Sequence, residues 1–150
     1  MPDTDEGYGI MKKTIFVFVS LMISCLMVSC IQQSLDSVVE RMRENLPAEI
    51  GEGRKLTDVV VNSNYLQFEV EYDENELRLD DGMIDSVFEA IRNDLKKDFF
   101  SKINDDILEL FKMCIKENKG VKIIMDGLKS KKKLTLLEID AKELAKEIEK

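Results

Sequence analysis

From Leu35 onward the apolar positions follow two rhythms, one of three to four residues and one of two. Leu35, Val38, Val39, Met42 and Leu46 recur at helical spacing and predict a first amphipathic helix. Pro47, Gly51 and Gly53 end it and mark a loop. Leu56–Val61 is rich in β-branched residues, and Asn62-Ser63-Asn64 is turn chemistry. Leu66, Phe68, Val70 and Tyr72 then alternate with Gln67, Glu69 and Glu71, the pattern of a half-buried strand with carboxylates on its outer face. These two segments predict a hairpin.

After a loop from Asp73 to Gly82, spacings of three and four run from Ile84 through Val87, Phe88, Ile91, Leu95, Phe99, Ile103, Ile107, Leu110 and Phe111 to Cys114. One apolar stripe of that length predicts a long helix, with a break near 101–104 where Ser101 or Asn104 would cap a fresh start. Asn118-Lys119-Gly120 ends it, with Gly120 suited to the left-handed position after a helix. Val121–Met125, a turn from Asp126 to Lys132, and Lys133–Ile139 predict a second hairpin. Asp140-Ala141-Lys142-Glu143 reads as a capping-box variant opening a short helix, with Ala141, Leu144, Ala145 and Ile148 as its stripe. The expected fold class is α+β, in the order helix–hairpin–long helix–hairpin–short helix. A mainly antiparallel four-stranded sheet would pack on the long helix.

The front of the chain has a different pattern. Lys12 and Lys13 lead into an apolar run over Thr14–Ser29 that stops at Cys30. The run is short for a membrane-spanning helix, which needs about 20 apolar residues, and matches the layout of an export signal. Its end, Leu26-Met27-Val28-Ser29-Cys30, resembles the lipobox of bacterial lipoproteins. In that family the cysteine thiol is acylated and the chain is cut just before it, so the resemblance implies a lipid on Cys30. Met27 stands where the family prefers leucine, and Met22-Ile23-Ser24-Cys25 offers a second box, which leaves Cys25 as the alternative. Cys30 is preferred because cutting at Cys25 would leave Leu26-Met27-Val28 exposed. An ordinary secretory signal and a retained anchor helix are the other readings.

Residues 1–10 carry Asp3, Asp5 and Glu6 where a signal should be basic, which marks Met11 as the expected initiator and 1–10 as a mis-assigned extension. A genuine extension is the other possibility. The expected organisation is therefore 1–10 as extension, 11–29 as signal peptide, 30–34 as lipidated tether and 35–150 as a single domain. Fully extended, the tether Ile31–Ser34 reaches only about 14 Å.

The remainder of the chain resembles a group of small uncharacterised bacterial secreted or lipid-anchored proteins. The corresponding pieces are Leu46-Pro47, the hairpin Leu56–Tyr72, and Gly120-Val121 through Leu134–Ile139. That resemblance supports the fold and brings no activity with it.

Charge narrows the partners. The chain has 22 basic and 30 acidic residues, a net charge of −8, and most of the excess lies beyond Cys30. An acidic domain gains nothing from counterion release, so nucleic acid is not an expected partner. The absence of histidine removes Ser-His and Cys-His nucleophiles and histidine metal sites. Cys114 stands alone in a helical context, which predicts a buried apolar role. No cofactor is expected, and no metal.

Three clusters carry candidate chemistry. Asp73-Glu74-Asn75-Glu76 with Asp80-Asp81-Gly82 has oxygen ligands for Ca²⁺, but Leu77, Arg78 and Leu79 interrupt the pattern, and a solvated acidic loop is the expectation. Glu69 and Glu71 share a strand face at a spacing that paired-acid hydrolysis tolerates, yet an open sheet face supplies no cleft to raise one pKa. Lys129, Lys131, Lys132 and Lys133 crowd the second hairpin's turn, a basic knob that would meet headgroups, an acidic partner or plain solvent. No catalytic residue is assigned. The expected role is a non-enzymatic, lipid-anchored envelope protein facing the periplasm or cell surface. It would meet the membrane through its anchor, with an envelope protein or a second copy as partner. The alternative is a binding module for a small apolar ligand or peptide, and an enzyme is the least favoured reading.

Overall fold

Ser34 opens the first helix, α1 (Leu35–Glu44), by accepting the Ser37 amide on its hydroxyl at 3.2 Å. The computed structural model describes residues 34–149 other than 81 and 102, so residues 1–10, Cys25 and Cys30 lie outside it. Leu35, Val38, Val39 and Met42 form the buried stripe of α1, as the spacing predicts. After the cis Leu46–Pro47 bond the chain forms β1 (Ala48–Gly51), β2 (Arg54–Val61) and β3 (Tyr65–Tyr72), all antiparallel neighbours. Gly53 turns β1 into β2 at φ +71°, a conformation that favours glycine. The Asn62 carboxamide oxygen accepts the Asn64 and Tyr65 amides at 2.9 and 2.8 Å and shapes the next turn.

The long apolar stripe is divided between two helices, α2 (Ile84–Asp98) and α3 (Asp105–Lys116), with a single 3₁₀ turn over Phe99–Ser101. The break falls where the caps predicted it, and the Asn104 side chain accepts the Ile107 amide at 2.9 Å. At the fold-back the Phe99 ring stacks on Phe111, 5.6 Å between centroids. Strands β4 (Gly120–Gly127) and β5 (Lys133–Ile139) follow, then α4 (Ala141–Ile148), opened by Asp140 accepting the Glu143 amide at 2.7 Å.

The fold is α+β, but the sheet differs from the expected one. It has five strands in the order β1-β2-β3-β4-β5 and is mixed, because β3 and β4 run parallel. A connection through two helices returns the chain to the end where β3 began, and the Gly120 amide donates to the Asn64 carbonyl there at 2.8 Å. The extra strand, β1, occupies the Pro/Gly segment expected to be loop. Gly120 also corrects an expectation: it starts β4, and Asn118 takes the left-handed position at φ +56°. Gly120 is needed instead for room, since a Cβ there would strike the Ile139 carbonyl and the Asp140 backbone.

Along β3 burial alternates strictly, with Leu66, Phe68, Val70 and Tyr72 inside. These residues form one core with the helix stripes, α1 lying on β2, α2 on β5, and α3 and α4 on β4. Cys114 is free and fully buried in this core, and burial pushes its thiol up to about 12. The other sheet face carries Gln67, Glu69, Lys122 and Glu138, none of them fully buried. On it the Tyr65 hydroxyl donates to Glu138 at 2.9 Å, and Lys122 sits 5.5 Å from the Tyr65 ring centre.

Candidate functional site

The two ends of the sheet differ in what they hold. At one end the α1 N-terminus is secured by the Leu35 amide donating to Glu117 Oε2 at 3.2 Å. Lys119 Nζ donates to the Asn62 and Ser63 carbonyls beside it, at 2.6 and 3.2 Å. This is the end at which the segment preceding Ser34 enters the domain. The opposite end lies about 25 Å away, the length of β4 at ~3.3 Å per residue. It gathers the β1–β2 turn, the loop leaving β3, the start of α2 and the β4–β5 turn.

Glu74 organises that distal end. It is 3% exposed, and its carboxylate accepts the Lys129 amide at 3.0 Å and the Ser130 amide at 2.6 Å. Burial by itself would raise the Glu74 pKa, but the amide hydrogen bonds outweigh it and hold the group at about 2. Neighbouring Tyr72 is fully buried, its ring 5.0 Å from Phe88, and its hydroxyl has no hydrogen-bond partner among the described residues. Lys132 Nζ reaches Asp85 Oδ1 at 2.6 Å, tying the turn to α2.

Across the ladder from Tyr72 stands Arg54. Arg54 is 2% exposed, on the inner face of β2, and its Nε and both terminal nitrogens lack a hydrogen-bond partner among the described residues. Burial lowers its pKa, and the field of Glu52 acts in the other direction. Arg54 borders a cleft of about 590 Å³, but its enclosed side chain lies on the sheet face opposite Lys55 and Glu71, which line that cleft. Glu49, Glu52, Glu71, Asp73 and Glu76 line the same cleft with Lys55 and Leu128, and Leu128 is 43% exposed. Gly53, Arg78 and Lys131 place three left-handed backbone positions at this end of the molecule. Unpaired buried polar groups and unusual backbone concentrate where proteins bind ligands.

A second, more open groove of about 620 Å³ lies between α2 and α4, lined by Arg92, Lys96, Lys97, Phe100, Glu143 and Glu147. Lys96 and Glu143 bridge it at 3.6 Å, and Arg92 Nε donates to the Thr135 carbonyl at 2.8 Å. Both clefts are lined largely by charged residues, and neither is an apolar chamber between sheet and helices.

The candidate clusters read from the sequence fall into place differently from one another. The stretch after β3 is not wholly a solvated acidic loop: Glu74 is buried, Asp73 accepts the Asn75 and Glu76 amides, and Asp80 accepts the Met83 amide. Among the described residues no group of three or more acidic or cysteine side chains could hold a metal ion. Glu69 and Glu71 are half-buried on the outer sheet face, opposite Asp58 and Lys55 on β2. Glu71 belongs to the cleft and Glu69 does not. Of the turn lysines, Lys132 pairs with Asp85, while Lys129, Lys131 and Lys133 are exposed.

Sequence reading missed Arg54 because its charge placed it before the strand. The usable signal was parity: Arg54 lies two residues before Leu56 and therefore on the same inward face.

No family model matches the chain. No curated protein matches it either. Among solved structures the chain is similar to a crystal structure titled a "putative secreted protein" from Pseudomonas aeruginosa. The two are 16% identical, with a TM-score of 0.49, over 73% of this chain and 88% of that one. At that level the likeness transfers no function. Among the described residues no helix is long and apolar enough to cross a membrane.

Proposed function

We propose that this is an exported bacterial protein, held to a membrane by a lipid on Cys30 and acting through contact rather than catalysis. The observation that carries the reading is the spacing between Cys30 and the first cap. Ser29-Cys30 closes the lipobox-like segment, and Ser34 already caps α1, so Ile31, Gln32 and Gln33 are all that separates anchor from domain. A tether of that length holds the α1 end of the sheet within about 14 Å of the acylated residue. The distal cleft and the lysine turn then face away from the bilayer. On this reading the lysines of that turn serve a partner rather than the headgroups of the anchoring membrane.

The binding-module alternative gains support from the distal cleft, whose charged lining suits a polar ligand or peptide better than an apolar one. Growth of an expressing bacterium with radioactive fatty acid tests the anchor. Label should enter the protein and vanish in Cys30→Ser. Label that persists in Cys30→Ser and vanishes in Cys25→Ser would move the anchor to Cys25, and an unlabelled wild-type chain would remove it. Crosslinking of the anchored protein in living cells, followed by purification, tests the contact role.

A further inference from the structure

The distal end carries two surfaces of opposite charge. The turn between β4 and β5 exposes Lys129, Lys131 and Lys133, none with an ion-pair partner among the described residues. The Lys131 amide donates to the Gly127 carbonyl at 2.9 Å, and Glu74 holds the Lys129 and Ser130 amides. The backbone beneath the three cations is therefore set in advance, which lowers the ordering cost of a contact made there.

The acidic surface is the cleft on the β1–β2 side. Glu49, Glu52 and Glu76 are exposed in it, and their carboxylates have no ion-pair partner among the described residues. Leu128, 43% exposed, lines the same cleft and leads into the lysine turn. A chain of net charge −8 repels a second copy at long range, so association requires opposite charges brought together locally.

Strand order decides how two copies can do this. The β1–β2 turn and the β4–β5 turn lie on opposite sides of β3, and Lys55 and Glu71 place the cleft on the outer sheet face. A two-fold axis running along β3, with outer faces turned toward each other, sets the β1–β2 turn of one copy opposite the β4–β5 turn of the other. The rotation repeats the contact, which is the self-complementarity that an isologous dimer requires. The same axis points both α1 ends one way, so two anchored copies meet side by side on one membrane.

We propose that the distal end is an interface with a second copy of this chain, Lys129, Lys131 and Lys133 of each copy meeting Glu49, Glu52 and Glu76 of the other, with Leu128 at the border of the contact. The inference rests on the contact role proposed above and names its partner.

The test uses the full chain expressed in a bacterium, with Leu128→Cys and a short bismaleimide added to intact cells. A product of twice the chain's mass should appear on a denaturing gel, above the level given by the parent chain. Lys112→Cys, exposed in the helix layer, should not give it. Adding Lys129→Glu with Lys131→Glu, or Glu52→Lys with Glu76→Lys, should reduce the product at least about tenfold, since each pair sets like charges face to face. Co-expression of the two charge variants under different tags should restore it as a mixed pair. The reversed turn then meets the reversed cleft, and the native turn meets the native cleft. A variant that merely misfolds cannot be rescued in this way.

A Leu128→Cys product no greater than that of Lys112→Cys would overturn the proposal. So would charge variants that crosslink like their parent, or failure of the mixed pair to form. A product joining the chain to a different protein would overturn it in favour of that partner. Fatty-acid labelling of Cys30 is read on the same cells, so loss of the crosslink from a labelled chain removes the second copy and leaves the anchor standing.

Discussion

The Ser130 amide donates to Glu74 Oε2 at 2.6 Å, a short charge-assisted bond between residues 56 positions apart in the chain. Together with the Lys129 amide on Oε1, it fastens the loop leaving β3 to the turn between β4 and β5. β3 and β4 are the parallel pair, and the chain that links them through two helices re-enters the sheet at the opposite end. At this end Glu74 joins the segments that follow them, and the Leu128 amide donating to the Tyr72 carbonyl at 2.9 Å adds a second link.

Removing the carboxylate should therefore loosen the distal end and lower global stability. Glu74→Ala removes the charged acceptor of the part-buried Lys129 and Ser130 bonds and should cost roughly 1–3 kcal/mol. Glu74→Gln, which keeps one acceptor oxygen, should cost less. Urea unfolding followed by circular dichroism gives both values.

Acid should act through the same residue. Glu74 is held at about 2, below its ordinary value of 4.5, so the folded state binds that proton less readily than the unfolded one. Its contribution is complete above about pH 4.5 and is lost progressively as pH falls toward 2. Thermal unfolding scanned across that window should show a steeper decline in the wild type than in Glu74→Gln. Parallel curves would show that other carboxylates dominate.

Cys114 should be inert in the native protein. Its thiol is enclosed by the core and pushed up to about 12, so very little thiolate exists at pH 8. A chromogenic disulfide reagent should modify it only as fast as the fold opens, and at once in denaturant. Rapid labelling without denaturant would contradict its burial.

Gly120 and Gly82 should respond oppositely to alanine. A methyl at Gly120 meets the Ile139 carbonyl and the Asp140 backbone, neither of which can yield without displacing the junction of β5 and α4. Gly120→Ala should lose roughly 1–3 kcal/mol. At Gly82 the Cβ would meet only Asp80 Oδ1 at 3.5 Å, an ordinary contact, so Gly82→Ala should stay within about 0.5 kcal/mol of wild type.

The helix caps should each contribute a modest share. Asn104→Ala and Asp140→Ala remove side-chain acceptors at 2.9 and 2.7 Å and should each cost about 1 kcal/mol in the same urea assay. These caps were also the most legible local features of the chain. Their chemistry depends only on residues three apart, so Asp140 could be read directly and the other cap narrowed to Ser101 or Asn104, of which the structure uses Asn104. The alternation from Leu66 to Tyr72 was legible for a similar reason, since one buried sheet face imposes a period of two.

Other features depended on partners far along the chain. β1 is four residues long, follows a proline and contains a glycine, and only its pairing with β2 makes it a strand. The burial of Glu74 required the turn at Lys129 and Ser130, which local acidity gave no hint of. Arg54 was hidden by its own chemistry, because a charge before a β-branched run reads as loop.

The sequence by itself determined the helical stripes, the two hairpins, the Asp140 cap, a break near 101–104 and the apolar place of Cys114. It also contains the lipobox-like segment ending at Cys30, on which the proposed anchor rests. Those features arise from periodicity, local hydrogen bonding or a contiguous motif. Only the tertiary structure decided the parallel pairing of β3 with β4, the fifth strand, and the meeting of Arg54, Tyr72 and Glu74 at one end of the sheet. Backbone pairing and buried charge are settled by where the chain returns after two helices, and that return is a property of the packed whole.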